Sequence, residues 1–112
     1  MKFALVYSYD PTTASPSEGE VPAWIALDEE FRAAGVTVHE AGFHPVDQAR
    51  TVRVRDGRTS VEKGSATPAP YTVAGYYVVD VADIEAATEL AAKIPTAGYG
   101  SVEIRQVVEF DG

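Results

Sequence analysis

The chain has no cysteine, so disulfides and thiolate metal sites are excluded, while its cellular compartment is left open. Cations are scarce. Nine Lys and Arg face seventeen Asp and Glu, and the net charge is −8. Such a surface repels phosphate backbones and anionic lipids, so neither nucleic acid nor membrane is an expected partner. No apolar run approaches the roughly 20 residues of a membrane helix. The opening "MKFALVYSYD" lacks a small-residue cleavage site and reads as a first strand instead of an export signal, which makes the cytoplasm the expected location. There is no Gly-x-Gly-x-x-Gly, Walker loop, nucleophile elbow or helical His-x-x-x-His. "TAGYGS" follows a helix instead of opening one, so it is no phosphate cradle. No cofactor and no metal are expected.

What is present fills one domain, residues 1–112. "KFALVYSY" is β-branched and aromatic, hence a strand. "DPTTASPSEGE" is a loop. Pro22 suits a first helical turn, and Trp24, Leu27, Phe31 and Ala34 form one helical stripe, with Asp28, Glu29 and Arg32 off it. Gly35 is placed to end that helix in a left-handed conformation. "VTVHEAGFHP" is a second strand, stopped by Pro45. "RTVRVRDGRTSVEK" is a hairpin turning at Asp56-Gly57, with Arg53 and Arg55 on the face opposite Val52 and Val54. The arginine stripe reads as a solvated strand face. "YTVAGYYVVDV" is nearly continuous in apolar character, which predicts burial on both faces. Asp80 or Asp83 caps a second helix with Ile84, Ala87, Ala91 and Ile94 at helical spacing and Leu90 beside them, ended by Pro95. "SVEIRQVVEF" closes the chain as a strand.

Strand, helix, strand, hairpin, strand, helix, strand is the order of an α+β ferredoxin-like sandwich with an inserted β-hairpin. Its helices cover one sheet face. Val36, Val38, Tyr76 or Tyr77, Val78 or Val79 and Val107 cannot all point at them, because alternate strand residues point opposite ways. Two sheets packed face to face would bury the surplus, so a homodimer is expected.

"FRAAGV", "GFHP", "TVRVRDGRT", "AGYYVVDVADIEAATELAAKIP" and "GSVEIRQVVEF" resemble the YCII-related family, and within it the DGPF branch. The resemblance spans nearly the whole chain. It implies a dimeric α+β barrel and small, acidic bacterial proteins of mostly unassigned function. It also implies a possible association with transcription factors, since some members are encoded beside alternative sigma factors. The naming Asp-Gly-Pro-Phe motif would fall on Lys63-Gly64-Ser65-Ala66, where only the glycine is kept. The histidine of the wider family's first helix, half of a proposed His–Asp active site, is absent from "PAWIALDEEFRAAG". The branch's Gly-Glu-Gly-Leu is replaced by Glu40-Ala41-Gly42-Phe43, with the acid one residue early and so, by alternation, on the other strand face. No catalytic residue carries over.

The residues themselves offer candidates. His39 and His44, five apart, point to opposite strand faces and cannot alone share a metal. His44 ends a strand. His39 shares a face with Thr37 and Ala41, and is either a buried, hydrogen-bonded residue or the lining of an inter-sheet cavity. Tyr7 and Tyr9 share a face of the first strand, and Tyr71, Tyr76 and Tyr77 come from a later one. Glu62 and Lys63 adjoin the 64–70 loop, which reads as a stiff hairpin exit and at most a cavity rim. The leading expectation is a homodimeric small-molecule or partner-binding domain, with Tyr7, Tyr9, His44 and Tyr71 as ligand contacts. The alternative is acid–base chemistry on a small substrate in a cavity of the barrel, with His44 or His39 as base and Glu40, Tyr7 and Tyr9 as positioning groups.

Overall fold

A computed structural model describes residues 1–14, 16, 19–68 and 70–110. In chain order the elements are β1 (Lys2–Tyr9), α1 (Glu20–Ala33), β2 (Thr37–Gly42), β3 (Arg50–Arg55), β4 (Arg58–Lys63), β5 (Thr72–Asp80), α2 (Ile84–Ala91) and β6 (Ser101–Gln106). Short 3-10 turns occupy Val46–Gln48 and Pro95–Gly98. The main sheet has the order β2-β5-β1-β6 with antiparallel neighbours, and β3-β4 form a separate two-stranded sheet. This is the ferredoxin-like α+β arrangement with a hairpin inserted between β2 and β5.

Local chemistry explains the boundaries. Helix α1 begins with Glu20, whose charge complements the helix dipole, and carries Pro22 in its first turn. It ends at Gly35, whose φ of +68° is cheap only for glycine. There Gly35 N–H donates to the Arg32 carbonyl and Val36 N–H to that of Phe31, a complete Schellman motif. Asp83, not Asp80, caps α2 by accepting from Ala86 N–H at 2.9 Å. Asp80 instead pairs with the Met1 amine at 3.0 Å. The hairpin turn has positive φ at both Asp56 (53°) and Gly57 (75°), the geometry that matches strand twist.

The core lies between the sheet and the helices. Phe3, Leu5 and Tyr7 of β1 and Tyr77 and Val79 of β5 meet Leu27 and Phe31 of α1, Ala87 and Ala91 of α2, and Ile94. Removing one such side chain, Phe31 for instance, costs about 3–5 kcal/mol. Two residues of the expected helical stripes fall outside this core. Ala34 is the exposed C-cap of α1, and Ile84, at the first turn of α2, is 49% exposed.

The expected burial of β5 on both faces is not what the single chain has. Tyr77 and Val79 are buried, whereas Tyr76 and Val78 point to the opposite face and are only half-buried. That face is open. Cross-strand pairing puts Ala4 and Val6 of β1 and His39 and Ala41 of β2 beside them. Lys2, Asp80, Glu103 and Arg105 form a charged border. The molecule is thin as a result, 19 Å through its shortest axis against 46 and 43 Å in the others. No helix among the described residues is long and apolar enough to cross a membrane.

Two irregularities position everything below. In β2, Thr37 pairs with Val79 but His39 pairs with Val78, so Val38 is an extra residue and the alternation reverses after it. In β1, Tyr7 pairs with Gly75 and Ser8 with Val73, so Ala74 is extra on β5. Gly75 lies under the end of the Tyr7 ring. A Cβ there would overlap the Tyr7 hydroxyl and come within 2.5 Å of the Ala41 carbonyl oxygen. Gly75→Ala is therefore expected to destabilise the fold by about 1–3 kcal/mol or more through overpacking. Gly98→Ala, where no atom lies within 4 Å of the new methyl, is expected to be close to neutral. Thermal unfolding of the two variants checks the contrast, and equal midpoints would refute it.

Candidate functional site

Four elements bring five side chains to one end of the helix-facing sheet surface. Trp24 and Asp28 stand one turn apart on α1, hence on the same helix edge. Tyr7 and Tyr77 point up from adjacent strands. Glu40 pairs directly with Tyr77 and so shares its face. Together with Ala41 and Gly42 they line a cavity of about 250 Å³. The Trp24 and Tyr77 rings are nearly parallel, at 11° and 6.3 Å between centroids, and Tyr7 tilts against Trp24 at 5.0 Å. Phe31 meets Tyr77 edge-on from the core side at 5.3 Å. The ring cluster is thus backed by the core and open towards the acids.

A second cavity of about 340 Å³ continues past Tyr7 and Trp24, which line both. Tyr9, Glu20, Phe43 and Tyr99 are among its walls. Tyr99 donates to a Glu20 carboxylate oxygen at 3.1 Å and takes Tyr9 edge-on at 5.9 Å. The two cavities make one groove with rings along its middle and carboxylates at both ends. Among the described residues no Lys, Arg or His lines either.

The electrostatics follow from crowding acids and phenols in a partly dry space. Tyr77 donates to Asp28 Oδ1 at 2.5 Å. Burial, then that bond and the charge of Asp28, push the Tyr77 phenol far above its ordinary range. Burial and the charges of Asp28 and Glu40 push Tyr7 up to about 12. The Glu40 carboxyl is also raised, first by burial and then by the charge of Asp28 and a hydrogen bond with it, against weaker lowering by Arg32 and His39. Glu40 therefore holds a proton more readily than an isolated glutamate does, and the phenols of Tyr7 and Tyr77 stay neutral donors. The pair of carboxyls can accept a cation, or hold and release one proton.

The bulge at Val38 decides which residues meet here. Simple alternation would put His39 with Thr37 and send Glu40 away from the helices. Instead Thr37 and Glu40 face the helices, while His39 and Ala41 lie on the open face. His39 is exposed, with its ring 5.7 Å from that of Tyr76. His44 is exposed in the segment after β2, beside Phe43 and Pro45 in a separate depression. Tyr71 is 57% exposed and borders other depressions, with Asp10 and Tyr99 on one side and Pro70 on another. Glu62 and Lys63 point to opposite faces of the hairpin, Glu62 pairing with Arg53 at 3.1 Å. Of the 64–70 loop, Ala69 lies outside the described residues. The rest turns at Gly64 (φ +97°) and rims a shallow depression with Val46 and Tyr71, away from the groove. Tyr7, Tyr9 and Glu40 are the sequence candidates that line the groove.

Asp28, Trp24 and Tyr77 were not singled out as site residues by sequence. The readable signal was the i, i+4 spacing of Trp24 and Asp28, which sets an acid at the margin of the apolar stripe. Among the described residues no three His, Asp or Glu side chains are grouped to hold a metal ion.

A raised Glu40 has a definite consequence for stability. Its folded-state value exceeds the unfolded one, so the folded protein binds this proton more tightly. The stability so contributed is complete below the unfolded value and is lost as pH rises through the folded one. Glu40→Gln is therefore expected to gain on the wild type as pH rises through the Glu40 titration, and Asp28→Asn is expected to lower the Glu40 titration midpoint. Denaturant unfolding at several pH values and carboxyl-carbon NMR read the two effects. An unmoved Glu40 midpoint in Asp28→Asn would mean that the carboxyls do not interact.

No curated protein matches the sequence significantly. The model of the YCII-related domain matches residues 1–111, all but the last residue. With a ferredoxin-like α+β sheet beneath it, the chain belongs to the YCII-related family.

Proposed function

We propose that this YCII-related protein is a homodimeric binding domain whose groove takes a small organic cation, an amine with an apolar body. The observation that carries the reading is the composition of the groove. Trp24, Tyr7 and Tyr77 supply ring faces, Asp28, Glu40 and Glu20 supply negative charge, and among the described residues no basic side chain lines the groove. Ring faces attract a cation by about 0.5–2 kcal/mol each, depending on desolvation. A chain of net charge −8 draws cations towards itself and repels anions. An anionic ligand would meet carboxylates at both ends of the groove.

The homodimer is supported by the open sheet face. Ala4, Val6, Tyr76 and Val78 make an apolar centre with charges at its border, the anatomy of a protein interface. A second copy of the same face is self-complementary in apolar character, as a two-fold contact requires. Such a dimer would have the sheets inside and the grooves outside, one per subunit.

A second reading, acid–base catalysis, is favoured by the raised carboxyl of Glu40 beside Asp28. In it Glu40 gives or takes a proton at a substrate amine held by the rings, with Tyr77 keeping Asp28 oriented through their 2.5 Å bond.

Trp24 is the only tryptophan, so its fluorescence reports the groove without interference. Phenethylammonium is expected to change that emission saturably, while 3-phenylpropionate of similar size is not. Asp28→Asn is expected to weaken the ammonium about tenfold, the worth of one charge-assisted bond. Equal binding of both probes, or of neither, would refute the cation reading. Val78→Glu, on the open face, is expected to give a folded monomer by sedimentation. A wild-type monomer at about 100 µM, well above the Kd of even a weak specific dimer, would refute the dimer.

A further inference from the structure

The β3-β4 hairpin is the one pair of strands that joins neither the main sheet nor the core. Its residues are almost all exposed, β4 throughout. Val52 and Val61 sit directly opposite each other with Val54 on the same face, and these three valines are 58–62% exposed. A two-stranded hairpin is marginal in water unless its apolar face is covered. Three adjoining valines on an arm form a strip, not a scatter of single exposed residues.

The charges on the arm point the same way. Arg50, Arg53, Arg55, Arg58 and Lys63 are five of the chain's nine cations, against Asp56 and Glu62 on the arm. Residues 50–63 thus carry +3, and the rest of a chain totalling −8 carries −11. Within the arm the cations are placed against each other. Arg55 is directly opposite Arg58 at the tip, and Arg50 opposite Lys63 at the base. Like charges directly opposed in a ladder are destabilising unless anions outside it meet them. Among the described residues the arm's one ion pair is Arg53 with Glu62.

We infer that the β3-β4 hairpin is a basic clasp that closes over the acidic body of a second copy of this chain, its valine face, which also carries Arg50 and Lys63, against that surface. The inference rests on the homodimer proposed above and specifies what the arm does in it. A second copy is the occupant because its body carries the complementary −11. Continuity favours it as well. The arm springs from the end of edge strand β2 and returns to β5, the strands that carry His39, Ala41, Tyr76 and Val78 of the open face. The same −11 repels a nucleic acid, the other polyanion that an arginine arm could meet.

Two measurements test this on the intact chain. Lys63 is the arm's only lysine, so carbodiimide coupling of an equal mixture of light and isotope-heavy protein marks its neighbours. Peptides joining Lys63 of one isotope to body carboxylates of the other are expected. The double variant Arg50→Glu, Lys63→Glu alters exposed residues of the valine face. It is expected to stay folded by circular dichroism, to raise the dimer dissociation constant at least tenfold, and to flatten its salt dependence. If Lys63 couples only within its own chain, or the variant dimerises as the wild type does, the clasp is overturned and the sheet-face dimer stands. If the wild type is monomeric, both fall together. If labelled DNA binds the wild type with salt-sensitive affinity and not the variant, the arm serves a polyanion and the inference is overturned.

Discussion

The ring of Tyr7 can end above β5 only because residue 75 has no side chain. Any Cβ there would occupy the place of the phenol and crowd the Ala41 carbonyl on the next strand. That one missing methyl sets the spacing of β1, β5 and β2 at the groove. It lets Tyr7 divide and line both cavities, and it gives Trp24 a ring to rest on at 5.0 Å. The bulge at Ala74 lies next to it, as expected where a strand must accommodate a ring lying across its backbone. The Gly-Tyr-Tyr segment is thus a three-part device: Gly75 makes room, Tyr76 faces outward, and Tyr77 joins core and acid site.

Tyr77 links those two regions energetically. Its ring is buried against Phe31 and Trp24, and its hydroxyl is committed to Asp28. A phenol whose ionisation is suppressed by burial and by neighbouring acids is a dependable donor at any physiological pH. It satisfies one lone pair of Asp28 and leaves Glu40 as the carboxyl that yields to its neighbour's charge. Two acids on one cavity wall would ordinarily repel. Here one is held by a phenol, and the carboxyl of the other is raised by burial and by its neighbour's charge.

The order of elements, the end of α1 and the start of α2, the Asp56-Gly57 turn and the one-sided layering were legible in the sequence, because each rests on local chemistry or on simple period. Gly35 acts through its own backbone preference and Asp83 through its side chain, whereas α2 stops at Ala91, short of Pro95, which opens a 3-10 turn instead. The site was less legible. Strict alternation puts His39 among inward residues and Glu40 outside, and a single extra residue, Val38, inverts both. Nothing in "TVHEAG" announces that bulge, since it is imposed by pairing with β5 some 40 residues away. Reading a carboxylate shifted by one position as lost from its face assumes an unbroken ladder. Asp28 was hidden differently: as a polar residue off the apolar stripe it looks solvated, and only the tilt of α1 across Tyr77 gives it a partner. Burial of β5 on both faces was read from composition alone, which does not distinguish cover by the chain's own helices from cover by another molecule.

That last distinction bears on the whole molecule. A sheet with one face on its core and the other carrying Val6, Tyr76 and Val78 has apolar surface that its own helices cannot reach. The chain also divides its charge, basic on an arm that packs on little of its own body and acidic elsewhere. A monomer would gain nothing from either feature, since the exposed valines cost hydration and the opposed arginines cost repulsion. A copy stacked on the open face would cover the valines and bring carboxylates to the opposed Arg50 and Lys63, which share their face. The grooves would be unaffected, because they open on the helix side. Assembly and ligand capture would then use opposite faces of one sheet, so the acids that draw a cation into the groove need not be spent on holding the dimer.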